Sequence, residues 1–396
     1  MSELARVAAA LIESARSGET SVLATVVRTE GSTYRRIGAR LVVLPNGVRT
    51  GTVSAGCVEQ EILACVADVR AAGSPAVMTY DTRSPDDLVW GFGLGCGGLV
   101  EVMLEPLTPE QATAKAARLA FIASARQRTV LATVVRAPAS LSIRAGDQAV
   151  LMDTTSSLDG LDCALRADFQ RAARGAWRRG RSAVVQHTWE GESIDVVYEV
   201  IAPRVRLAVC GAGIDAVPVV AAAKQLGWHV TLIDDRPAMA DAHRWPDADR
   251  IIVPRPTAIA ESVAEADSEA AIIMSHNFAR DVDFLQGWLD TTAGYIGVMG
   301  PHHRLHAMLA ALSARGVCID ALARARIRGP VGLDLGAETP EEIALAIVAE
   351  VQAVHAGRTA GFLALRAGSI HASALRTLEG GEEIRSAYDR QAIGCL

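Results

Sequence analysis

The chain has 396 residues, 50% of them hydrophobic, and a formal net charge of −6; this is ample apolar material for two or three cores, and the acidic balance argues against nucleic acid as the main partner. No apolar run reaches the roughly 18 residues that a spanning helix needs, so no membrane insertion is expected. Seven cysteines, odd in number and without a CxxC pair, fit neither a disulfide framework nor a structural zinc site, and point to a reducing cytoplasm.

Met1 to Thr20 is an amphipathic segment carrying Glu3, Arg6, Glu13 and Arg16, neither a signal peptide nor an anchor. A strand is expected at Ser21 to Arg28. It leads into the polar loop Glu30-Gly31-Ser32-Thr33-Tyr34-Arg35-Arg36, where Arg35, Arg36 and the later Arg40 are candidates to clamp a phosphate, the alternative being an ordinary solvated turn. A β-run at Ala39 to Leu44 turns at Asn46-Gly47 and returns as Val48 to Ser54. The apolar spacing then becomes helical, through Val58, Ile62, Cys65, Val66 and Val69, so a helix begins close to Cys57.

A thiol at that position lies among unpaired amide groups at the positive end of the helix dipole, which favours the thiolate. Cys57 is therefore a candidate nucleophile, sulfur carrier or metal ligand. A second cysteine, Cys96, is set in Gly93-Leu94-Gly95-Cys96-Gly97-Gly98. Glycines such as Gly56, Gly95 and Gly97 give no packing benefit but let a ligand approach the sulfur closely. Cys65, Cys163 and Cys210 lie inside apolar patterns and read as core residues.

Val22-Leu-Ala-Thr-Val-Val-Arg28 recurs letter for letter at Val130 to Arg136, and at the same offset Arg36 and Gly38 match Arg144 and Gly146. Strands at Ser182 to His187 and Ile194 to Ile201 take the places of those expected at Ala76 to Tyr80 and Leu99 to Leu104. The second copy has no counterpart of either cysteine motif, so it cannot repeat the thiol chemistry.

Pro203 to Arg206 reads as a linker, because buried strands and helices alternate after it. Leu207 to Cys210 is a strand, Gly211-Ala212-Gly213-Ile214-Asp215-Ala216 fits G-x-G-x-x-A, and a helix to about Leu226 leads to a strand ending in Asp234-Asp235-Arg236. Gly211 and Gly213 would let a pyrophosphate approach, Asp234 would bond a ribose hydroxyl, and Arg236 could accept a 2′-phosphate, so the NAD(P) signal is mixed. Later strands are expected at Arg250 to Val253, Ala271 to Met274 and Tyr295 to Met299. His276 follows one of them, where a doubly wound sheet places its ligand crevice. His302 and His306 have no carboxylate companion and read as structural, while Thr339-Pro340-Glu341-Glu342 is a capping box opening a helix through Val354.

Taken together, Glu30 to Arg40, Gly51 to Glu59, Gly95 to Gly98, Gly211-Ala-Gly213, Asp234-Asp-Arg236, Met274-Ser-His276 and Gly332 to Glu342 resemble the XdhC/CoxI family, accessory proteins of xanthine dehydrogenase and related molybdenum hydroxylases. The chain departs from that pattern at Ser54-Ala55-Gly56, where more glycine is usual, and at His302-His303. The resemblance implies a cysteine-bearing N-terminal domain paired with a Rossmann-like one. With the repeat, which makes the chain longer than a minimal member, the expectation is an α/β protein with four parts: a cysteine-bearing α+β domain at 1–107, its degenerate repeat at 108–203, a Rossmann-like doubly wound parallel sheet at 204–356 and a tail at 357–396. The resemblance also implies binding of molybdenum cofactor, a molybdopterin in plain or nucleotide-extended form, with Cys57 and Cys96 at the metal. Help with its sulfuration, with a cysteine desulfurase as sulfur source, and delivery to an apo molybdenum hydroxylase complete that expectation, while exposed edges in the duplicated β domains separately suggest a homodimer. Two other readings stand beside it: an NAD(P)-dependent oxidoreductase with His276 as acid/base, and a redox sensor pairing Cys57 with Cys96, which requires their α-carbons within about 7 Å.

Overall fold

A computed structural model describes residues 1–54, 56–81, 83, 98–152 and 163–366, without the side chains of Cys57, Cys163 and Ala164. Cys96, Gly95 and Gly97 thus lie outside the described residues. The chain divides between Arg204 and Val205 into two compact units.

In the first unit, helix α1 (Glu3–Ser17) precedes strands β1 (Ser21–Gly31), β2 (Arg40–Val43) and β3 (Arg49–Gly51). Helix α2 (Cys57–Ala72), β4 (Ala76–Asp81) and β5 (Gly98–Leu107) complete the first copy. The second copy runs through α3 (Pro109–Ser124), β6 (Thr129–Arg136), β7 (Gln148–Leu151), α4 (Cys163–Arg179), β8 (Ala183–Trp189) and β9 (Glu192–Ile201). Sheet orders are β3-β2-β1-β5-β4 and β7-β6-β9-β8, so the duplicated sequence folds as a duplicated sheet. Even the register shift recurs, between Val26 and Arg28 in one copy and between Val134 and Arg136 in the other. On the helices, Val58, Ile62, Val66 and Val69 of α2 match Leu165, Phe169, Ala173 and Ala176 of α4, each set packed on its own sheet. That spacing puts Ala164 where Cys57 stands, so the second copy lacks the thiol.

The two copies pack on one another through a self-matching cluster of Val27, Met103, Val135 and Val197. Val27 and Val135 occupy the same place in the repeated heptapeptide, and Met103 and Val197 pair with the equivalent Thr25 and Thr133. Around this apolar contact the copies exchange carboxylates. Glu105 and Glu199 pair with the equivalent Leu23 and Leu131. Glu199 enters the turn of the first copy beside Gly38 and holds Arg40, with Arg40 Nη1 3.0 Å from Glu199 Oε1. Reciprocally, Glu105 lies beside Gly146 of the second copy and pairs with Lys115 at 2.7 Å.

In the second unit, β10 (Arg206–Cys210), α5 (Ala216–Gln225), β11 (His229–Ile233), β12 (Arg250–Ile252), α6 (Ile259–Ser262), β13 (Ala270–Ile273) and α7 (Phe278–Leu289) follow in order. Then come β14 (Tyr295–Val298), α8 (His302–Ala314), α9 (Ala321–Arg326), β15 (Ile327–Arg328) and α10 (Pro340–His355). The sheet is parallel, in the order β12-β11-β10-β13-β14-β15. Its central strands, apolar apart from Arg206, His229 and Thr231, are covered on both faces, by α5 and α10 on one side and by α7 and α8 on the other. The two-residue β15 is too short to carry a strand pattern in the sequence. Helix α10 starts with the expected reciprocal cap, Thr339 Oγ1 accepting from Glu342 N–H and Glu342 Oε2 from Thr339 N–H. Strand order reverses between β10 and β13, which sets the crevice of this fold at their carboxyl ends, next to His276.

Candidate functional site

The first unit gathers its motifs at one end of one sheet. Gly31, ending β1, pairs with Gly98, starting β5, and Asp81, ending β4, pairs with Leu99. Gly51, ending β3, pairs with Leu41, next to Arg40 at the start of β2. The loop at 30–36, the loop leading to Cys57, and the strand ends on either side of the Cys96 loop therefore lie at the same end of the sheet. Two close approaches draw them in further. A side chain at Gly98 would meet Ser32 O at 2.2 Å, and one at Gly51 would meet Arg40 O at 2.2 Å.

Helix α2 starts at Cys57, behind Gly56 at φ +125, a conformation suited to glycine. Its first helical bond runs from Gln60 N–H to Gly56 O, leaving the amides of Cys57, Val58 and Glu59 without a partner inside the helix. Two further residues hold the approach. Glu59 Oε1 accepts from Val53 N–H at 3.1 Å, Ser54 N–H at 3.3 Å and the Thr52 hydroxyl, and Ser54 Oγ accepts from Gly56 N–H at 3.1 Å. Sequence reasoning assigned Glu59 no role. Its third place in the helix, after a polar loop, is the acidic half of a capping signature and could have marked it.

The three arginines diverge. A cavity of about 350 Å³ is lined by Tyr34, Arg35, Arg36 and Arg40 together with Glu3 and Glu199. Arg35 is half-buried and paired with Glu3, and Arg36 is exposed and makes no ion pair among the described residues. Arg40 corrects the expectation of a phosphate clamp: its guanidinium is buried, donating to Gly38 O at 2.7 Å and to both oxygens of Glu199. Burial lowers its pKa, but Glu199, and more weakly Glu105 and Glu3, outweigh that and the net shift is upward. Arg40 is therefore a permanently charged strut between the copies.

At the crevice of the second unit, Asp234 is 2% exposed, and its carboxylate is spent inside the protein. Oδ2 accepts from Ala212 N–H at 2.7 Å and from Arg236 Nη2 at 2.6 Å, while Oδ1 accepts from Arg236 N–H at 2.9 Å and Nε at 2.8 Å. Burial pushes this carboxyl up, but the four donors prevail and hold it below its ordinary value. The expected roles of Asp234 at a ribose and Arg236 at a 2′-phosphate are thus replaced by an internal ion pair. His276 is mostly exposed, with Nε2 2.7 Å from Asp215 Oδ2, which joins the loop after β13 to the glycine loop after β10. Its φ of +58 is a left-handed conformation that non-glycine residues adopt only where the surroundings hold it. Nearby, Ser275 donates to Asp281 at 2.5 Å and Arg304 clamps the same carboxylate at 2.6 Å.

The core cysteines behave as their context suggested. Cys210 is fully buried under the Trp288 indole N–H at 3.2 Å, and burial pushes its thiol up to about 12; Cys65 is partly buried against the core of the first copy. Cys163 and the Cys57–Cys96 pairing lie beyond the described side chains. Among the described residues no group of three or more His, Cys, Asp or Glu is placed to hold a metal ion, His302 and His306 included.

Comparison with known proteins reaches both units. Residues 207–351 match the family model described as the XdhC Rossmann domain, and residues 14–81 match that of the XdhC and CoxI family. The chain is 28% identical to a probable xanthine dehydrogenase subunit of Bacillus subtilis over 333 residues, 84% of this chain and 92% of that protein. It is 24% identical to the molybdenum cofactor insertion chaperone PaoD of Escherichia coli over 345 residues, covering 87% and 86%. A crystal structure described as that of a xanthine dehydrogenase from Bacillus halodurans superposes with a TM-score of 0.68 at 26% identity, over 91% of this chain and 97% of that one. With both family models matched in chain order over more than half of its length, the chain belongs to the XdhC and CoxI family.

Proposed function

We propose that this chain is a cytoplasmic maturation factor that takes up molybdenum cofactor, assists its sulfuration and passes it to a xanthine dehydrogenase-type hydroxylase. The observation that carries the reading is that the 30–36 loop, the Cys57 helix start and the strand ends flanking the Cys96 loop lie at the same end of one sheet. Likeness to an insertion chaperone supports the cargo. The donor set suits a pterin phosphate at the exposed Arg36 and, with rearrangement of its pair with Glu3, at Arg35. Cys57, at a helix start, has the setting of a thiolate that ligates molybdenum or accepts sulfur from a cysteine desulfurase, with Cys96 as second ligand. A homodimer is part of this reading, resting on the exposed edge strands β4 and β8, and light scattering checks it.

The oxidoreductase reading is not carried forward, because the acid meant for the ribose is fully engaged within the protein. Activation of a separately purified apo-hydroxylase tests the proposal. Cofactor-loaded protein should restore hydroxylase activity and Cys57→Ala should not; equal activation by both, or by free cofactor alone, would remove Cys57 from the account.

A further inference from the structure

The fold of the second unit implies a dinucleotide, and four features of the crevice do not fit one. The two glycines that ordinarily open the loop to a pyrophosphate are accounted for by the protein's own atoms. A side chain at Gly211 would meet Met274 O at 2.6 Å and Ser275 Cα at 2.7 Å, so this glycine serves the close passage of the β13 loop. At Gly213 it would meet the Asp215 carboxylate, Oδ1, at 2.4 Å. The space above the second glycine is therefore taken by an acidic side chain.

Four of the amides around the loop are committed as well. Gly211 N–H donates to Ile233 O, Ala212 N–H to Asp234, Ala216 N–H to Gly213 O and Val217 N–H to Ile214 O. Asp234, the residue placed to receive a ribose, accepts four donors of its own. The obstructing carboxylate is also pinned from across the crevice, since Asp215 Oδ2 lies 2.7 Å from His276 Nε2 while Oδ1 covers Gly213.

We infer that Asp215, latched by His276, is the specificity determinant that closes this Rossmann crevice to NAD(P): its carboxylate sits where the diphosphate of a dinucleotide would bind, and repels it. Two anionic groups cannot share one seat without a penalty, and the acid placed for the ribose is already satisfied internally. His276, expected as an acid/base group, becomes a positioning residue that keeps Asp215 in place. The glycine signature in this chain records the tight strand-to-helix turn and the close β10–β13 loops, not a bound cofactor.

Titration of the full chain with NADH, followed by nicotinamide fluorescence, and with NAD⁺, ADP and adenosine by calorimetry, tests the inference on wild type, Asp215→Ala and Asp215→Asn. Asp215 is only partly buried, and thermal melts establish that both variants are folded. Wild type should show no saturable binding of NADH or NAD⁺. Asp215→Ala should bind NADH and ADP at least about tenfold tighter than wild type, with no gain for adenosine, which lacks the diphosphate; Asp215→Asn should gain less because it removes the charge but keeps the volume. Saturable micromolar binding of either dinucleotide by wild type would overturn the inference. So would folded Asp215→Ala that binds NADH and ADP no better than wild type. Neither result bears on cofactor handling at Cys57, which is read separately as molybdenum content.

Discussion

Removing Glu199 gives the sharpest energetic test of how the two copies are joined. Arg40 has 3% of its side chain exposed and stays charged, because Glu199 outweighs the burial that would lower its pKa. In Glu199→Ala it keeps one acceptor, Gly38 O at 2.7 Å, and loses both carboxylate contacts. An uncompensated buried charge of this kind costs roughly 3–5 kcal/mol, which for a unit of about 200 residues lowers the midpoint of melting by roughly 10 °C. Glu199→Gln should cost less, since the amide oxygen still accepts from the guanidinium. The double variant Arg40→Met with Glu199→Leu, which removes both charges and keeps volume, should recover most of the loss. Urea unfolding followed by circular dichroism reads all four proteins. A Glu199→Ala cost below about 1 kcal/mol, the range of an exposed pair, would refute the strut, as would a double variant no more stable than the single ones.

Further predictions concern the loop before Cys57 and the Asp234 clip. Glu59→Ala frees the Val53 and Ser54 amides and should lower cofactor retention, whereas Glu59→Gln, which can still accept from them, should retain more; bound molybdenum per chain measures this. Asp234 has its pKa depressed in the folded chain, so its contribution to stability is complete above the unfolded value of about 4 and is lost as pH falls through the lower folded value. Asp234→Asn should therefore destabilise the protein at neutral pH and show a flatter loss of stability on acidification, as thermal melts between neutral and acid pH would reveal. Parallel curves for the two proteins would contradict the assignment.

Much of the architecture is legible from local pattern. The identical heptapeptides, the Asn46-Gly47 turn, the change from strand to helix spacing at Cys57 and the Thr339 capping box each carry their geometry within a few residues. The partners of the charged residues do not. Arg40 and Glu199 are 159 positions apart, and nothing local to Arg35-Arg36-Ile37-Gly38-Ala39-Arg40 distinguishes an arginine that faces solvent from one that bridges two copies. The crevice misleads for a related reason. G-x-G-x-x-A reports a backbone that turns tightly, and that need is met here by the nearness of Met274 and by the side chain of Asp215 itself. Asp234 likewise has the residue type and spacing of a ribose acceptor, yet its neighbours Ala212 and Arg236 take every bond it can make. The role of the second copy became visible only in three dimensions, where Glu199 completes the turn that carries Arg36.

The most direct measurement is molybdenum and pterin content per chain after expression in cells that make the cofactor, for wild type, Cys57→Ala and Arg36→Ala. The account predicts both components on wild type in fixed ratio, loss of molybdenum retention in Cys57→Ala, and weakened retention of both in Arg36→Ala. Wild type free of cofactor, or a Cys57→Ala protein carrying as much molybdenum as wild type, would contradict it.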